Sequence, residues 1–161
     1  MSDDFNPELD LMIERHLTAS RGNVWKAWSK PELMEKWWAP APWLTKVHRL
    51  DLFPGGAFDT EMSGPDGENF RSQGCFLDIH ETHRIVFTDA LAAGYRPNHQ
   101  PFMTAEITMT DTPDSGTLYI AHVQHADIEA RKKHEEMGFE AGWNSCISQL
   151  EEVAKAMGSE Q

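Results

Sequence analysis

The sequence is short of cysteine, of positive charge and of long apolar runs, and each shortage removes a class of protein. Two cysteines, Cys75 and Cys146, are too few for a disulfide framework, which fits a reducing, cytoplasmic setting. Lys and Arg number 14 against 26 Asp and Glu, a formal net charge of −12. Binding a phosphate backbone needs clustered Lys and Arg. The longest basic cluster, Arg131-Lys132-Lys133, is followed at once by acids, so neither nucleic acid nor an anionic membrane is an expected partner. No apolar run approaches the ~20 residues of a bilayer-spanning helix. The acidic start, Met1 to Phe5, lacks the apolar core of a signal peptide. Repeats, low-complexity tracts and linkers are also missing. The 161 residues therefore read as one domain, 9–157, between an acidic tail (1–8) and a short C-terminal tail (158–161).

What is abundant is tryptophan. Five of the six fall between positions 25 and 43, as a core anchor or as a pocket wall. Around them the pattern predicts a first strand over 9–17, with Leu9, Leu11 and Ile13 on one face. Two short helices follow. Ser20 or Asn23 caps the first, and Ser29 with Glu32 reads as a capping box for the second, which ends before Pro40 and Pro42. A meander of strands then fills 45–125. It is punctuated by Pro54-Gly55-Gly56, by the Asp66-Gly67 hairpin signal and by Asp114-Ser115-Gly116. Gly74 reads as a bulge, and 90–101 as a loop without period. Residues 127–157 predict one long helix capped by Asp127. Phe139, Trp143, Cys146, Ile147, Leu150, Val153, Ala154 and Met157 form its apolar stripe, and Gly138 marks a kink. The fold class is α+β: a curved antiparallel sheet around a C-terminal helix. One helix fills such a concave face only in part, and the remainder is a default ligand site.

Several local patterns resemble the START-like (SRPBCC) superfamily, and within it the bacterial relatives of the C-terminal domain of the activator of the 90-kDa heat-shock protein ATPase. They are Val24-Trp25-Lys26-Ala27-Trp28, the stretch Pro31 to Pro40, Phe53-Pro54-Gly55-Gly56, Met62 to Gly67, Arg84 to Thr88 and Gly138 to Trp143. The resemblance covers about residues 9–157. It implies the helix-grip fold and a family that includes lipid and hormone binders, polyketide cyclases and chaperone activators. The co-chaperone behind the family name has a further N-terminal domain with no counterpart in these residues. On this reading the chain binds a small apolar or aromatic molecule between sheet and helix. The alternatives are a cyclase- or hydrolase-like enzyme using the same cavity, or a co-chaperone-like interaction module. The expected state is monomer or homodimer.

The candidate ligand-binding residues are Trp37, Trp38, Phe53, Phe58, Met62, Phe76, Phe87, Met103, His125, Phe139 and Trp143. The loop 90–101 and the Trp38–Trp43 turn are candidates for the mouth. His122 and His125 lie three apart on a strand and face opposite sides; the resemblance implies that Tyr119, Ala121, Val123 and His125 face inward, with a half-exposed strand histidine as the alternative. Asp59, Glu61, Arg71 and Gln73 share a face, read as solvated because Phe58, Thr60 and Met62 compete for the inside. No metal is expected: His80-Glu81-Thr82-His83 is one residue short of the zincin spacing. No cofactor is expected either, since no nucleotide-cradling glycine loop is present. A Gly-x-Ser-x-Gly elbow is missing too, and Cys146 lies on an apolar stripe, so neither supplies a nucleophile.

Overall fold

A computed structural model describes residues 5–99 and 101–158. Strand β1 (Asp10–Leu17) is followed by helices α1 (Arg21–Ser29) and α2 (Pro31–Met34). Strands β2 (Leu44–Leu50), β3 (Ala57–Ser63), β4 (Asn69–His80) and β5 (Arg84–Thr88) come next. A small hairpin of β6 (Leu91–Ala92) and β7 (Arg96–Pro97) precedes β8 (Thr104–Asp111), β9 (Thr117–Gln124), α3 (Ile128–Glu136) and α4 (Phe139–Ala156). The main sheet has seven antiparallel strands in the order β1-β9-β8-β5-β4-β3-β2. It curves around α4 in the helix-grip manner of START-like domains.

Alternation decides which face each strand turns inward. On β8 Ala105, Ile107 and Met109 are buried, and on β9 Tyr119, Ala121 and Val123. These join Leu17, Val24, Trp28, Met34, Ile85 and Leu150 in one core. Trp28 is its anchor. Its Nε1 donates to the Tyr119 hydroxyl at 2.9 Å, while the Trp37 Nε1 donates to the Ala27 carbonyl at 3.0 Å. A large indole can be buried because its one polar atom finds an acceptor. The Trp28, Trp37 and Trp38 rings pack edge-on, with centroids 5.3 to 5.4 Å apart.

Four local expectations are corrected. Ser29 ends α1 and its hydroxyl donates to Lys26, so it caps nothing; Lys30 is the N-cap of α2, and Pro31 takes the first helical position that suits its fixed φ. Gly74 is in register with Phe58, and the bulge sits at Leu77, between Phe76 and Asp78. A Cβ on Gly74 would stand 2.8 Å from the Thr88 carbonyl, so the glycine serves close strand approach. The long C-terminal helix is two helices, because Gly138 takes φ +94° and ends the first run. The 90–101 segment carries the β6–β7 hairpin, turning through Gly94 at φ +73°. Of the N-terminal tail, residues 1–4 lie outside the described residues. Phe5 to Glu8 lead into a turn, where the Asn6 carbonyl accepts from Leu9 and Asp10. Of the C-terminal tail, 159–161 also lie outside them. Among the described residues no helix is long and apolar enough to cross a membrane.

Candidate functional site

Between the sheet and the first half of α4 lies a cavity of about 510 Å³. Its floor follows from the alternation of β3 to β5: Phe58, Thr60 and Met62 from β3, Phe70, Ser72 and Gly74 from β4, Phe87 and Thr88 from β5. Register places Ser72 opposite Thr60 and Gly74 opposite Phe58. The roof is Gly142, Trp143, Cys146 and Ile147 of α4. Gly142 contributes open space, since a Cβ there would touch nothing within 4 Å. Trp37, Trp38, Pro40 and Trp43 close one side. His134 of α3 and Met137 just after it, with Phe102 and Met103 before β8, close the other.

The polar groups of this wall are few and mostly committed. The Asp89 Oδ1 accepts from the backbone N–H groups of Phe102 and Met103 at 2.7 and 3.0 Å. The Cys146 Sγ donates to the Trp38 carbonyl at 3.4 Å, and burial pushes its thiol up to about 12. It is no nucleophile at neutral pH. Burial also raises the Tyr119 phenol above its usual range, with the Trp28 N–H working against it. His134 is buried among the rings of Phe102, Phe139 and Trp143, and its Nδ1 lies 2.9 Å from the His125 Nε2. The other nitrogen of His125 meets the Leu9 carbonyl at 2.8 Å. Desolvation first, and then the neighbouring His125, hold His134 down to about 4, so at neutral pH it is an uncharged imidazole. Among the described residues that line the cavity, none is Lys or Arg.

Residues 18–155 match the family described as Activator of Hsp90 ATPase homolog 1-like protein. The chain belongs to this family. No curated protein matches it. A crystal structure of a protein from Nitrosomonas europaea is 42% identical, with 97% of this chain and 100% of that one aligned at a TM-score of 0.91. One from Mycobacterium smegmatis is 28% identical over 94% of each chain, with a TM-score of 0.79. The solution structure of an AHSA1-like protein from Aeromonas hydrophila has the same fold at 21% identity, covering 95% of this chain and 96% of that one with a TM-score of 0.70.

In this Activator of Hsp90 ATPase homolog 1-like domain, Trp37, Trp38, Phe58, Met62, Phe87, Met103 and Trp143 line the cavity. Four other residues named from the sequence do not. Phe53 is 57% exposed on the β2–β3 turn. Phe76 shares the inward face of β4 with Ser72 and Gly74 but is fully buried in the core, stacked on Phe58 at 4.8 Å. Phe139 packs behind His134 and Trp143. His125 stands behind His134, beyond the end of β9, and is buried rather than half-exposed. The set Tyr119, Ala121 and Val123 does face inward. His122 faces the other side and is sealed there: its Nε2 lies 2.8 Å from the Asp10 carboxylate, and the Phe5 ring packs at 5.6 Å.

The Trp38–Trp43 turn borders the cavity, whereas none of the described residues of the 90–101 segment lines it, and Phe102 and Met103 do so instead. Asp59 and Arg71 pair on the outer face, through two hydrogen bonds of 2.8 and 3.0 Å. The Arg71 hydrogen bond lowers the Asp59 carboxyl. Thr60 and Ser72 were within reach of the strand parity that located Phe58. His134 was not, because a continuous helix gives the wrong angular position once Gly138 breaks it. Among the described residues, no three His, Cys, Asp or Glu side chains cluster to hold a metal ion.

Proposed function

We propose that this chain binds a small apolar or aromatic molecule in the cavity between the sheet and α4. One observation supports the reading above all: about 510 Å³ stands open among Trp, Phe and Met side chains in a fold whose other end is packed solid. A two-ring guest burying roughly 200 Å² would gain about 5 kcal/mol at ~25 cal/mol per Å², before association costs. Methionines 62, 103 and 137 let the walls repack around guests of different outline. Native mass spectrometry of freshly purified protein, with the denatured mass as control, tests this. A stoichiometric added mass that vanishes on denaturation is the expected result. A clean mass that persists across a panel of apolar aromatics would overturn it.

His134 favours a second reading, a cyclase- or hydrolase-like enzyme in the same cavity. Its buried imidazole has an uncommitted nitrogen within reach of a guest, which catalysis by proton transfer requires. A basicity near that of a carboxylate makes it a weak base at neutral pH, so binding remains the leading proposal. A captured guest released with unchanged mass after long incubation would count against catalysis. A co-chaperone role draws on the family description alone; calorimetry with a purified 90-kDa chaperone at tens of micromolar tests it.

A further inference from the structure

The proton positions on the two histidines follow from their partners. The Leu9 carbonyl can only accept, so the His125 Nδ1, 2.8 Å away, carries the hydrogen. Among the described residues no carboxylate pairs with either ring, and a buried cation without a partner is costly, which favours two uncharged rings. The His125 Nε2 is then a bare lone pair, and the His134 Nδ1 must donate to it at 2.9 Å. That leaves the His134 Nε2 without a hydrogen. Among the described residues it has no partner, and the ring, 7% exposed, forms part of the cavity wall.

The backbone carbonyl of Leu9 thus sets, through two rings, an acceptor in an apolar chamber. Among the described lining residues the charged side chain is a carboxylate, Asp89, with no Lys or Arg beside it. The hydroxyls of Thr60, Ser72 and Tyr119 rotate to give or take and discriminate little. The arrangement penalises anions and leaves an acceptor unsatisfied by a pure hydrocarbon.

We infer that the guest is an uncharged aromatic carrying a hydroxyl or N–H donor, which it gives to the His134 Nε2, and that carboxylates and phosphate esters are rejected. This rests on the reading of the cavity as a binding site and narrows the class of molecule it takes.

Three probes of one outline separate the two: naphthalene, 2-naphthol and 2-naphthoate, titrated calorimetrically into the whole chain at pH 7. The hydroxyl is expected to tighten binding roughly three- to tenfold over naphthalene, and the carboxylate to abolish it. His134→Phe should remove the advantage of 2-naphthol over naphthalene, whatever it does to the affinity of both. Nitrogen-15 spectra of the histidine-labelled wild-type protein give the same answer without a substitution. Both His125 and His134 should be Nδ1–H tautomers, and only the His134 Nε2 signal should move when 2-naphthol is added. Equal binding of naphthalene and 2-naphthol, tighter binding of naphthoate, or an Nε2–H tautomer at His134 overturns this inference and leaves the cavity reading standing. Failure of all three probes to bind overturns both.

Discussion

The two halves of α4 rest on one sheet and do opposite things. In the second half Leu150 and Ala154 are fully buried against the core formed with α1. In the first half Gly142, Trp143 and Cys146 look onto open space. The difference lies in what the chain offers from below and from the side. Under the second half, β1 and α1 supply Leu17 and Val24, which are fully buried there. Under the first, the sheet presents Thr60, Ser72 and Gly74, small groups that leave room, and the helix itself has a glycine there. One part of the molecule holds the fold, and the other is free to be hollow because of it.

The sharpest way to break that contrast is truncation on each side of it. Leu150→Ala should cost about 2–5 kcal/mol, since a fully packed site collapses only in part. Trp143→Ala removes a larger side chain yet should cost under about 2 kcal/mol, because one side of it already lacks neighbours. Urea unfolding of both variants measures the order, and a reversed order would show that the hollow is not where the structure has it.

Acid probes the hollow half alone. His134 is held near 4 in the folded chain against 6.5 ordinarily. Between those values the unfolded chain binds a proton that the folded chain refuses, so stability should fall as pH drops from about 6.5 to about 4. The loss is on the order of 2 kcal/mol and should be missing from the slope of His134→Phe. Parallel pH profiles for the two proteins would sink the assignment.

The smallest effect is a gain. Gly142→Ala places a methyl in empty space within a helix and should stabilise by about 0.5–1 kcal/mol, read as a rise in urea midpoint. A loss would mean that the roof is tighter than described.

Much of the framework was legible in the chain. Strand parity placed Phe58, Thr60 and Met62 inward and Asp59 outward, because on a half-buried sheet polarity and period say the same thing. The residues that escaped are those whose place depends on something distant or on a break. His134 depends on the turn at Gly138, and His122 is buried by a turn some hundred residues upstream that brings Asp10 to it. Phe53 and Phe76 were grouped with the wall on hydrophobicity, which does not tell a turn or the packed core from a lining. The capping box expected at Ser29 does not form, because α2 starts at Pro31, two residues on, with Lys30 as its N-cap.

The edge-packed trio of Trp28, Trp37 and Trp38 has an optical consequence. Indoles with centroids 5.3 to 5.4 Å apart share their excitations, so this protein should show a split circular-dichroism band from coupled chromophores. Trp37 and Trp38 are also part of the cavity wall, so a guest settling against them would alter the splitting. The molecule carries its own spectroscopic gauge of occupancy, with no dye attached.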